Sequence, residues 1–341
     1  MDASPILHPA AELEPAAAQS ADLSSAIAAF LAQRRRAECS AETLALYTRQ
    51  LTAWVLWRGL CGYGPLLADI TIDELRAYVD YLQTDHAPHQ GNTRRPASTK
   101  TRLAPATVAS IWRTIRAAWN FWIDEQLLSD AQATFFLRKR IPAPKVANQI
   151  RQTYDGLAFV ALLNAADQGR GVEQPLRDRA ILLLLYDTGM RVSELCSLSD
   201  ADMNYTERQA VVTGKGNKQR YVFWTARTTA ALLAYLAVRS GEPGGPLFRG
   251  HGSKNSGGKL KADGVRGIID RLAKRAGIRR VDGAPVHAIR HTFAHRFLDN
   301  GGDGLHLQQL MGHESIETTQ RYVRENPTGL RRTYRRIIGE E

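Results

Sequence analysis

Apolar residues recur at helical spacing through the first third of the chain, and this periodicity constrains the fold more than any other feature. Four segments carry the pattern, and each places its large apolar side chains along one side of a helix. The sequence predicts helices over residues 24–36, 40–57, 71–82 and 107–128. The tryptophans of the last segment fall on its apolar stripe, so we expect them in the core. Residues 21–130 are therefore predicted to form a small all-helical domain.

The segments around this domain have a different composition. Residues 1–20 are rich in Ala, Pro and Glu without a helical period, which predicts a disordered tail, and residues 83–105 predict a long polar loop. Residues 131–150 combine positive charge with two prolines that block helix continuation, which predicts an interdomain linker. Its basic residues suit contacts with a DNA backbone: Arg138, Lys139, Arg140 and Lys145.

The second half of the chain, residues 151–341, is predicted to be mainly helical with one clear β signal. Residues 211–213 and 220–224 are rich in β-branched and aromatic side chains and flank the turn 214–218, which predicts a hairpin. Residues 240–258 are rich in glycine and proline and predict a loop. The predicted fold class is thus mainly α, with a small β-hairpin or sheet in the second of two domains.

The charge balance points to a polyanionic partner. Lys and Arg total 45 against 34 Asp and Glu, for a net charge of +11 and a pI near 9.8. Residues 1–150 hold 16 basic and 14 acidic residues, and residues 151–341 hold 29 and 20, so most of the excess lies in the second half. A basic balance of this size favours nucleic acid over a membrane surface.

Several function classes lack their sequence patterns. The longest apolar run, residues 180–186, is seven residues, far below the ~20 that a membrane-spanning helix needs. The chain does not open on a secretory signal pattern, and its three cysteines fit neither a zinc site nor a disulfide framework. We therefore expect a soluble cytoplasmic protein without a membrane partner.

The motifs of cofactor-dependent enzymes are also missing from the sequence. It contains no GxxxxGK[ST], no strand-linked GxGxxG, no GxSxG, no HExxH and no carboxylate cluster. We therefore expect no cofactor, no metal and no small-molecule substrate, so chemistry on DNA must proceed without a metal. Such chemistry needs arginines to bind the phosphate oxygens, a side-chain nucleophile, and an acid that protonates the leaving oxygen.

Two stretches offer cations for this purpose. Arg191 follows the turn at Gly189 at the start of a predicted helix, and Glu194 lies three residues on, where it can hold the guanidinium. The hairpin turn presents Lys215 at its tip, with Lys218 as an alternative in the same turn. Lys218 and the neighbouring Arg220 are further candidates for contacts with the DNA backbone.

Two more stretches complete the set. His287 and Arg290 are spaced i and i+3, on one face of a helix, which favours His287 over His291 as the functional histidine. His291 and His295 are interpreted as helix-face or packing residues. His313 precedes Tyr322 by nine positions, and Tyr334 lies on an apolar stripe that indicates packing instead.

In this order the residues resemble the signature of the tyrosine recombinase (phage integrase) family, and of Xer-like site-specific recombinases in particular. The family pattern is Arg, Lys, His-x-x-Arg, His or Trp, then Tyr. The matching positions here are Arg191, Lys215, His287, Arg290, His313 and Tyr322. The stretches Thr-Gly-Met-Arg-x-x-Glu-Leu and Leu-Met-Gly-His match as well, and the likeness covers residues 151–325 and more loosely 21–130.

The resemblance implies a function and a role for each residue. It implies a site-specific recombinase whose two domains, a core-binding and a catalytic domain, form a C-shaped clamp around double-stranded DNA. Arg191 and Arg290 would bind the scissile phosphate, Tyr322 would form a 3′-phosphotyrosyl link, and Lys215 would protonate the leaving 5′ oxygen. By the same likeness His287 would assist proton transfer at the nucleophile, and His313 would bond a phosphate oxygen.

The resemblance also implies an assembly of four protomers on two DNA sites, either a homotetramer or a heterotetramer with a related recombinase. A helix predicted over about 328–339 carries an apolar stripe that suits docking into a neighbouring protomer. Since only about 20 residues precede the first predicted helix, we expect no additional amino-terminal arm-binding domain. The alternatives are type IB topoisomerase activity and DNA binding without catalysis.

Overall fold

The structure, a computed structural model, describes residues 21–86, 102–136, 140–146, 153–240, 244–250, 257–278, 285–313, 315–324 and 327–339. By its internal contacts the chain divides into two compact units, Met1–Asn148 and Gln149–Glu341. The mainly helical fold with one small antiparallel sheet confirms the predicted fold class. The predicted tail at 1–20 and most of the polar loop, residues 87–101, lie outside the described residues.

The first unit consists of helices packed around an aromatic core. Its helices are α1 (Leu23–Arg36), α2 (Ala41–Leu60), α3 (Ile72–Thr84), α4 (Pro105–Asp124) and the short α5 (Asp130–Ala133). The prediction that the tryptophans of the fourth segment are core residues is confirmed, since Trp119 and Trp122 are fully buried and Trp112 nearly so. Their indole N–H groups are satisfied where burial is complete: Trp119 donates to the carbonyl of Gln132, and Trp122 to that of Ala26.

The first unit extends further along the chain than the sequence suggested. Residues 131–141 were predicted as linker, but Phe135 and Ile141 are buried in the core of this unit. Phe135 stacks on Trp119 with ring centroids 5.5 Å apart, and the Gln132 side chain donates to backbone carbonyls at residues 67, 68 and 70. The charged residues and prolines around this segment predicted a linker, although two of its apolar side chains complete the core.

The second unit packs its helices around one buried helix. Its helices are α6 (Gly156–Asp167), α7 (Glu173–Thr188), α8 (Val192–Ser197), α9 (Ala226–Val238), α10 (Ala262–Arg275), α11 (Pro285–Asp299), α12 (Gly304–Met311), α13 (Ile316–Arg324) and α14 (Pro327–Ile338). The apolar run 180–185 of α7 is buried on all sides, so this helix forms the centre of the unit. The residues that follow α7 are thereby held on a rigid support.

The predicted hairpin is part of a three-stranded antiparallel sheet. Strands β2 (Gln209–Thr213) and β3 (Gln219–Phe223) pair with Val212 opposite Arg220, and a short strand β1 (Met203–Asn204) adds to β2. The strand β1 is too short to carry a periodic signal, which is why the sequence did not predict it. Along β3, Arg220 and Val222 point to the same side, toward the interior of the unit.

The last helix, α14, has an unpartnered apolar face. Leu330 is 73% exposed, Tyr334 60% and Ile337 75%. Among the described residues, the packing role that the sequence favoured for Tyr334 is therefore not fulfilled. Among the residues that the structure describes, no helix is long and apolar enough to cross a membrane.

Candidate active site

A left-handed glycine ends α7, and the turn that follows brings Arg191 to the start of α8. Gly189 has φ +58°, a conformation that glycine adopts without steric cost. Arg191 caps α8 with extended backbone angles, and its backbone N–H donates to Oε2 of Glu194 at 2.6 Å. The backbone of Arg191 is thus fixed by the first turn of the helix that it opens.

Glu194 is a buried carboxylate that holds two arginines. Its side chain is 1% exposed and accepts hydrogen bonds from Nη1 of Arg191 at 3.0 Å and from both Nη atoms of Arg220 at 2.7 Å. Burial by itself would raise the pKa of Glu194, but the bonds and charges of Arg220 and Arg191 outweigh it and lower that pKa. Glu194 therefore stays ionised and fixes both guanidinium groups.

Arg220 connects the hairpin to the turn after α12. Beyond its fork on Glu194, its Nε donates to the carbonyl of Leu310 at 2.8 Å. The side chain also lies directly against Gly312, where an added Cβ would come within 3.1 Å of the Arg220 Cδ. The expectation that Arg220 contacts a DNA backbone is therefore corrected, because its side chain is 10% exposed and committed to the protein.

Arg290 lies deeper than Arg191 and is oriented by two backbone carbonyls. Its Nη1 donates to Gly189 and its Nη2 to Met311, both at 2.6 Å, while Nη2 of Arg191 donates to the next carbonyl, that of Gly312, at 2.9 Å. Burial, reinforced by the positive charge of Arg191, lowers the pKa of Arg290 to about 10. This buried cation remains charged at neutral pH, and an anion beside it would offset the free-energy cost of burying its charge.

Tyr322 of α13 is buried at 2% exposure, in a small apolar cluster with Phe293, Leu307 and Met311. Its hydroxyl oxygen lies 2.5 Å from Nδ1 of His291. The interpretation of His291 as a helix-face or packing residue did not include this hydrogen bond.

Two further histidines surround the Tyr322 ring. His295 meets it edge-on with ring centroids 5.7 Å apart, and the ring of His313 lies parallel to it at 6.1 Å. Nδ1 of His313 is 2.8 Å from the hydroxyl of Thr319, which is fully buried. That hydrogen bond fixes the orientation of the His313 ring between Tyr322 and the Gly312 turn.

His287 and Lys215 lie at the edge of this arrangement. His287 is exposed, on α11 one turn before Arg290. The backbone of Lys215 begins a helical turn over residues 215–217, directly after Gly214, while its side chain lies outside the described residues. An added Cβ at Gly214 would lie 3.3 Å from Oε1 of Glu194 and 3.6 Å from Nη1 of Arg191, so the hairpin turn starts against these two side chains.

An open cavity of about 750 Å³ lies between the hairpin turn and the turn after α12. Arg191, Lys218, Arg220 and His313 are among the residues that line it. Three guanidinium groups, those of Arg191, Arg220 and Arg290, surround one carboxylate here, so the site keeps an excess of positive charge. Such a cavity suits the phosphate of a nucleic acid backbone.

The other DNA-backbone candidates are distributed unevenly. Lys145 and Lys218 are exposed, whereas Arg138 and Lys139 lie outside the described residues. Arg140 donates to the hydroxyl of Thr134 at 2.7 Å. Within the described ranges, no group of three or more His, Cys, Asp or Glu is arranged to hold a metal ion.

Taken together, α8, α11, α13 and the turn after α12 bring two arginines and a tyrosine into one site, with a histidine on the tyrosine oxygen. Guanidinium groups can bind the non-bridging oxygens of a phosphodiester, and the phenol oxygen can attack its phosphorus. The sequence reasoning missed His291 and the structural role of Arg220. Two sequence patterns could have indicated these roles. His287 and His291 are spaced i, i+4 and so share one helix face, and the strand alternation along β3 places Arg220 on the same inward side as Val222.

Comparison with known proteins gives one family. The sequence profile of the phage integrase family matches residues 157–328. The tyrosine recombinase XerC of Bifidobacterium longum is 31% identical over 334 residues, covering 86% of this chain and 92% of the relative.

Two solved structures share the fold. The XerH site-specific recombinase bound to palindromic difH substrate, in a post-cleavage complex, has a TM-score of 0.65 at 18% identity, covering 89% of this chain and 82% of that chain. The Tn1549 transposon integrase in complex with a circular intermediate DNA has a TM-score of 0.65 at 18% identity, covering 87% and 94%.

Proposed function

The chain belongs to the phage integrase family of tyrosine recombinases, enzymes that break and rejoin DNA at specific sites, and from this premise we propose which residues cleave the strand. Arg191 and Arg290 bind the scissile phosphate, and Tyr322 is the nucleophile. Family membership gives no support to the alternatives of topoisomerase activity or DNA binding without catalysis.

One observation carries the proposal: two arginines from different helices donate to the consecutive carbonyls of Met311 and Gly312, immediately before His313. These bonds leave each guanidinium with further N–H donors for a phosphate. Arg191 lines the open cavity and Arg290 is buried beside it in charge contact, and we place the scissile phosphate against both guanidinium groups. The charge that develops on the non-bridging oxygens is then opposed by two fixed cations.

In the proposed reaction the Tyr322 oxygen attacks phosphorus and forms a 3′-phosphotyrosyl link, which frees a 5′ hydroxyl. Lys215, from the turn that begins against Arg191, donates a proton to the leaving 5′ oxygen. His313 hydrogen-bonds a phosphate oxygen. The family likeness gives His287 proton transfer at the nucleophile; because His287 is exposed and the ring nitrogen on the Tyr322 oxygen is that of His291, we propose instead that His287 also bonds a phosphate oxygen. The covalent link conserves the energy of the phosphodiester, so the 5′ hydroxyl of another strand can attack it and rejoin the DNA.

The cost of this chemistry lies in the nucleophile. A phenol has an ordinary pKa of about 10, so full ionisation at pH 7 costs roughly 4 kcal/mol. The two arginines beside the phosphate, together with a proton acceptor on the Tyr322 oxygen, must offset that cost. The burial of Tyr322 keeps water away from the same oxygen.

Covalent trapping tests the assignment. A nicked duplex carrying a candidate site from the DNA flanking the gene is incubated with protein without magnesium or ATP, and products are separated on a denaturing gel. We expect wild type to form a protein–DNA adduct and Tyr322→Phe to form none while still binding the DNA. Tyr334→Phe is the matched control, since it removes a hydroxyl from an exposed tyrosine and keeps the ring; an adduct that depended on Tyr334 instead would refute the assignment.

We also propose that two DNA sites are joined by four protomers, all of this chain or two of a related recombinase. Strand exchange between two duplexes needs four cleavages, and each protomer carries one tyrosine nucleophile. The exposed apolar face of α14, with Leu330, Tyr334 and Ile337, supports the docking of this helix into a neighbouring protomer. Exposed arginines, among them Arg331, Arg332 and Arg335, follow the remaining surface of the helix.

The domain assignment is part of the same proposal. The helical unit that ends at Asn148 serves as the core-binding domain, and the unit from Gln149 onward is the catalytic domain. The basic residues of the segment that joins them contact the DNA backbone. The enzyme works in the cytoplasm, where its double-stranded DNA substrate is held in the nucleoid.

A further inference from the structure

The hydroxyl of Tyr322 is held by a histidine that stands outside the family signature. Nδ1 of His291 lies 2.5 Å from the Tyr322 oxygen, a short hydrogen bond between α11 and α13. The two rings are tilted by 44° with centroids 5.5 Å apart, so they are not stacked on each other. The contact is therefore a directed bond between a ring nitrogen and the atom that attacks phosphorus.

The position of His291 is fixed by its neighbour. Arg290, the preceding residue of α11, is buried at 5% exposure and donates to the carbonyls of Gly189 and Met311. These two bonds tie α11 to the turn after α7 and to the end of α12, and His291 is the next residue on this helix. The residue that binds the phosphate and the residue that holds the nucleophile thus share one rigid support.

The other two histidines around Tyr322 occupy different positions. His295 meets the tyrosine ring edge-on at 79°, and His313 lies parallel to it at 5° with its Nδ1 on the hydroxyl of Thr319. Both arrangements are contacts with the face or edge of the ring. At His291, a ring nitrogen lies within hydrogen-bond distance of the phenol oxygen.

We propose that His291 is a catalytic residue, the general base that accepts the phenol proton of Tyr322 during DNA cleavage. This inference rests on the proposed role of Tyr322 as nucleophile. An imidazole has an ordinary pKa near 6.5, so its neutral form dominates above neutral pH and has a free lone pair on one nitrogen. The general acid–base contribution of such a residue is about 100-fold to 10,000-fold in rate.

The proton and electron pairs balance in this step. An oxygen lone pair of Tyr322 forms the new bond to phosphorus while the phenol proton moves to Nδ1 of His291, which becomes an imidazolium. The bond between phosphorus and the 5′ oxygen breaks, and that oxygen takes a proton from Lys215. In rejoining, the 5′ hydroxyl attacks phosphorus and returns a proton to Lys215, and His291 returns its proton to the departing Tyr322 oxygen.

The first test uses His291→Asn, in which an amide oxygen occupies nearly the place of Nδ1 and still accepts a hydrogen bond but takes up no proton. On the DNA to which wild type becomes covalently linked, we expect cleavage by His291→Asn to be at least about 100-fold slower, with unchanged DNA affinity. His295→Asn is the matched control on the same helix and should cleave at nearly the wild-type rate. Cleavage by His291→Asn at the wild-type rate would reduce His291 to a positioning residue and overturn the proposal.

A substrate with sulfur in place of the bridging 5′ oxygen separates the base from the acid. A thiolate leaves without protonation, so this substrate should restore cleavage by Lys215→Ala. It should not restore His291→Asn, because the nucleophile still has to lose its proton. Restoration of both variants would place His291 on the leaving-group side and contradict the proposal.

A final measurement needs no DNA site and reads the wild-type chain directly. Nitrogen-15 NMR of the histidine rings in the full wild-type chain reports which ring nitrogen carries the proton, and His291→Asn serves only to assign the signal. We expect a neutral His291 with the proton on Nε2 and an unprotonated Nδ1 facing Tyr322. A proton on Nδ1 would overturn the proposal. The two proposals can fail separately. If the NMR result is as expected but wild type forms no covalent adduct on DNA that it binds, the assignment of Tyr322 as nucleophile is refuted, while the proton-accepting geometry of His291 still stands.

Discussion

At the scale of single residues, the site depends on a glycine that cannot be replaced without moving its neighbours. Gly189 has a left-handed backbone, and a Cβ added to it would lie 2.4 Å from the ring of Phe293. Its carbonyl also accepts the hydrogen bond from Arg290. A side chain here would therefore disturb the Arg290 guanidinium as well as the helix end.

We predict that Gly189→Ala destabilises the second unit by about 2–5 kcal/mol, as the sum of the left-handed backbone cost and overpacking. Gly171→Ala is the matched control, because Gly171 is also left-handed, at φ +65°, with open space around its Cα. Its loss should be limited to the backbone cost of about 1–2 kcal/mol. Chemical denaturation measures the loss of unfolding free energy in both variants. Equal losses would mean that the Phe293 ring moves aside without cost, and would contradict the overpacking contribution.

At the scale of secondary-structure elements, one carboxylate joins three of them. Glu194 of α8 binds Arg191 at its own helix start and Arg220 of β3, and Arg220 reaches the end of α12 through the Leu310 carbonyl. Hydrogen bonds thus tie together the hairpin, the turn that carries Arg191 and the segment before His313. The hairpin tip that carries Lys215 is positioned by this network.

We predict that Glu194→Gln costs about 3 kcal/mol at neutral pH, because it leaves two guanidinium groups without their charged partner. It should also reduce cleavage while Arg220→Lys, which keeps one charge but loses the fork, shows a smaller defect. Denaturation and covalent trapping of both variants check this prediction. Wild-type cleavage by Glu194→Gln would show that the network has no part in the reaction.

The pH dependence of stability follows from the same carboxylate. The folded pKa of Glu194 lies below its ordinary 4.5, so the unfolded chain holds this proton to higher pH than the folded chain. The stabilisation is therefore complete above about pH 4.5 and is lost as the pH falls through the lowered folded value. The difference in unfolding free energy between wild type and Glu194→Gln should shrink over that acid range; a constant difference would contradict the shift.

At the scale of the whole molecule, the exposed apolar face of α14 is the feature that the single chain leaves without a partner. Ile337 and Leu330 are about three-quarters exposed, and Tyr334 on the same helix is 60% exposed. A neighbouring protomer on the DNA is the partner that we propose for it. Assembly, and not folding, should then depend on this face.

We predict that Ile337→Asp folds and binds a single DNA site but fails to join two sites in one complex. Arg335→Ala, an exposed substitution on the same helix, should assemble normally. Sedimentation of protein–DNA complexes measures the number of protomers and duplexes in each. Normal assembly of Ile337→Asp would contradict the prediction that the apolar face of α14 docks into a neighbouring protomer.

The sequence by itself determined the helical composition, the hairpin and the order of the signature residues from Arg191 to Tyr322. These are local properties, since helical periodicity, β-branched alternation and a glycine turn are set by residues close together in the chain. The aromatic core of the first unit was predictable for the same reason.

Only the tertiary structure decided that Phe135 and Ile141 belong to the first core, that Arg220 binds Glu194, and that His291 bonds the Tyr322 hydroxyl. Each of these depends on a contact between segments far apart in sequence: Arg220 is 26 residues from Glu194 and His291 is 31 from Tyr322. Spacing along one helix favoured His287, but the direction from which α13 approaches α11 selects His291. That approach is set by the packing of the two helices, which no local pattern encodes.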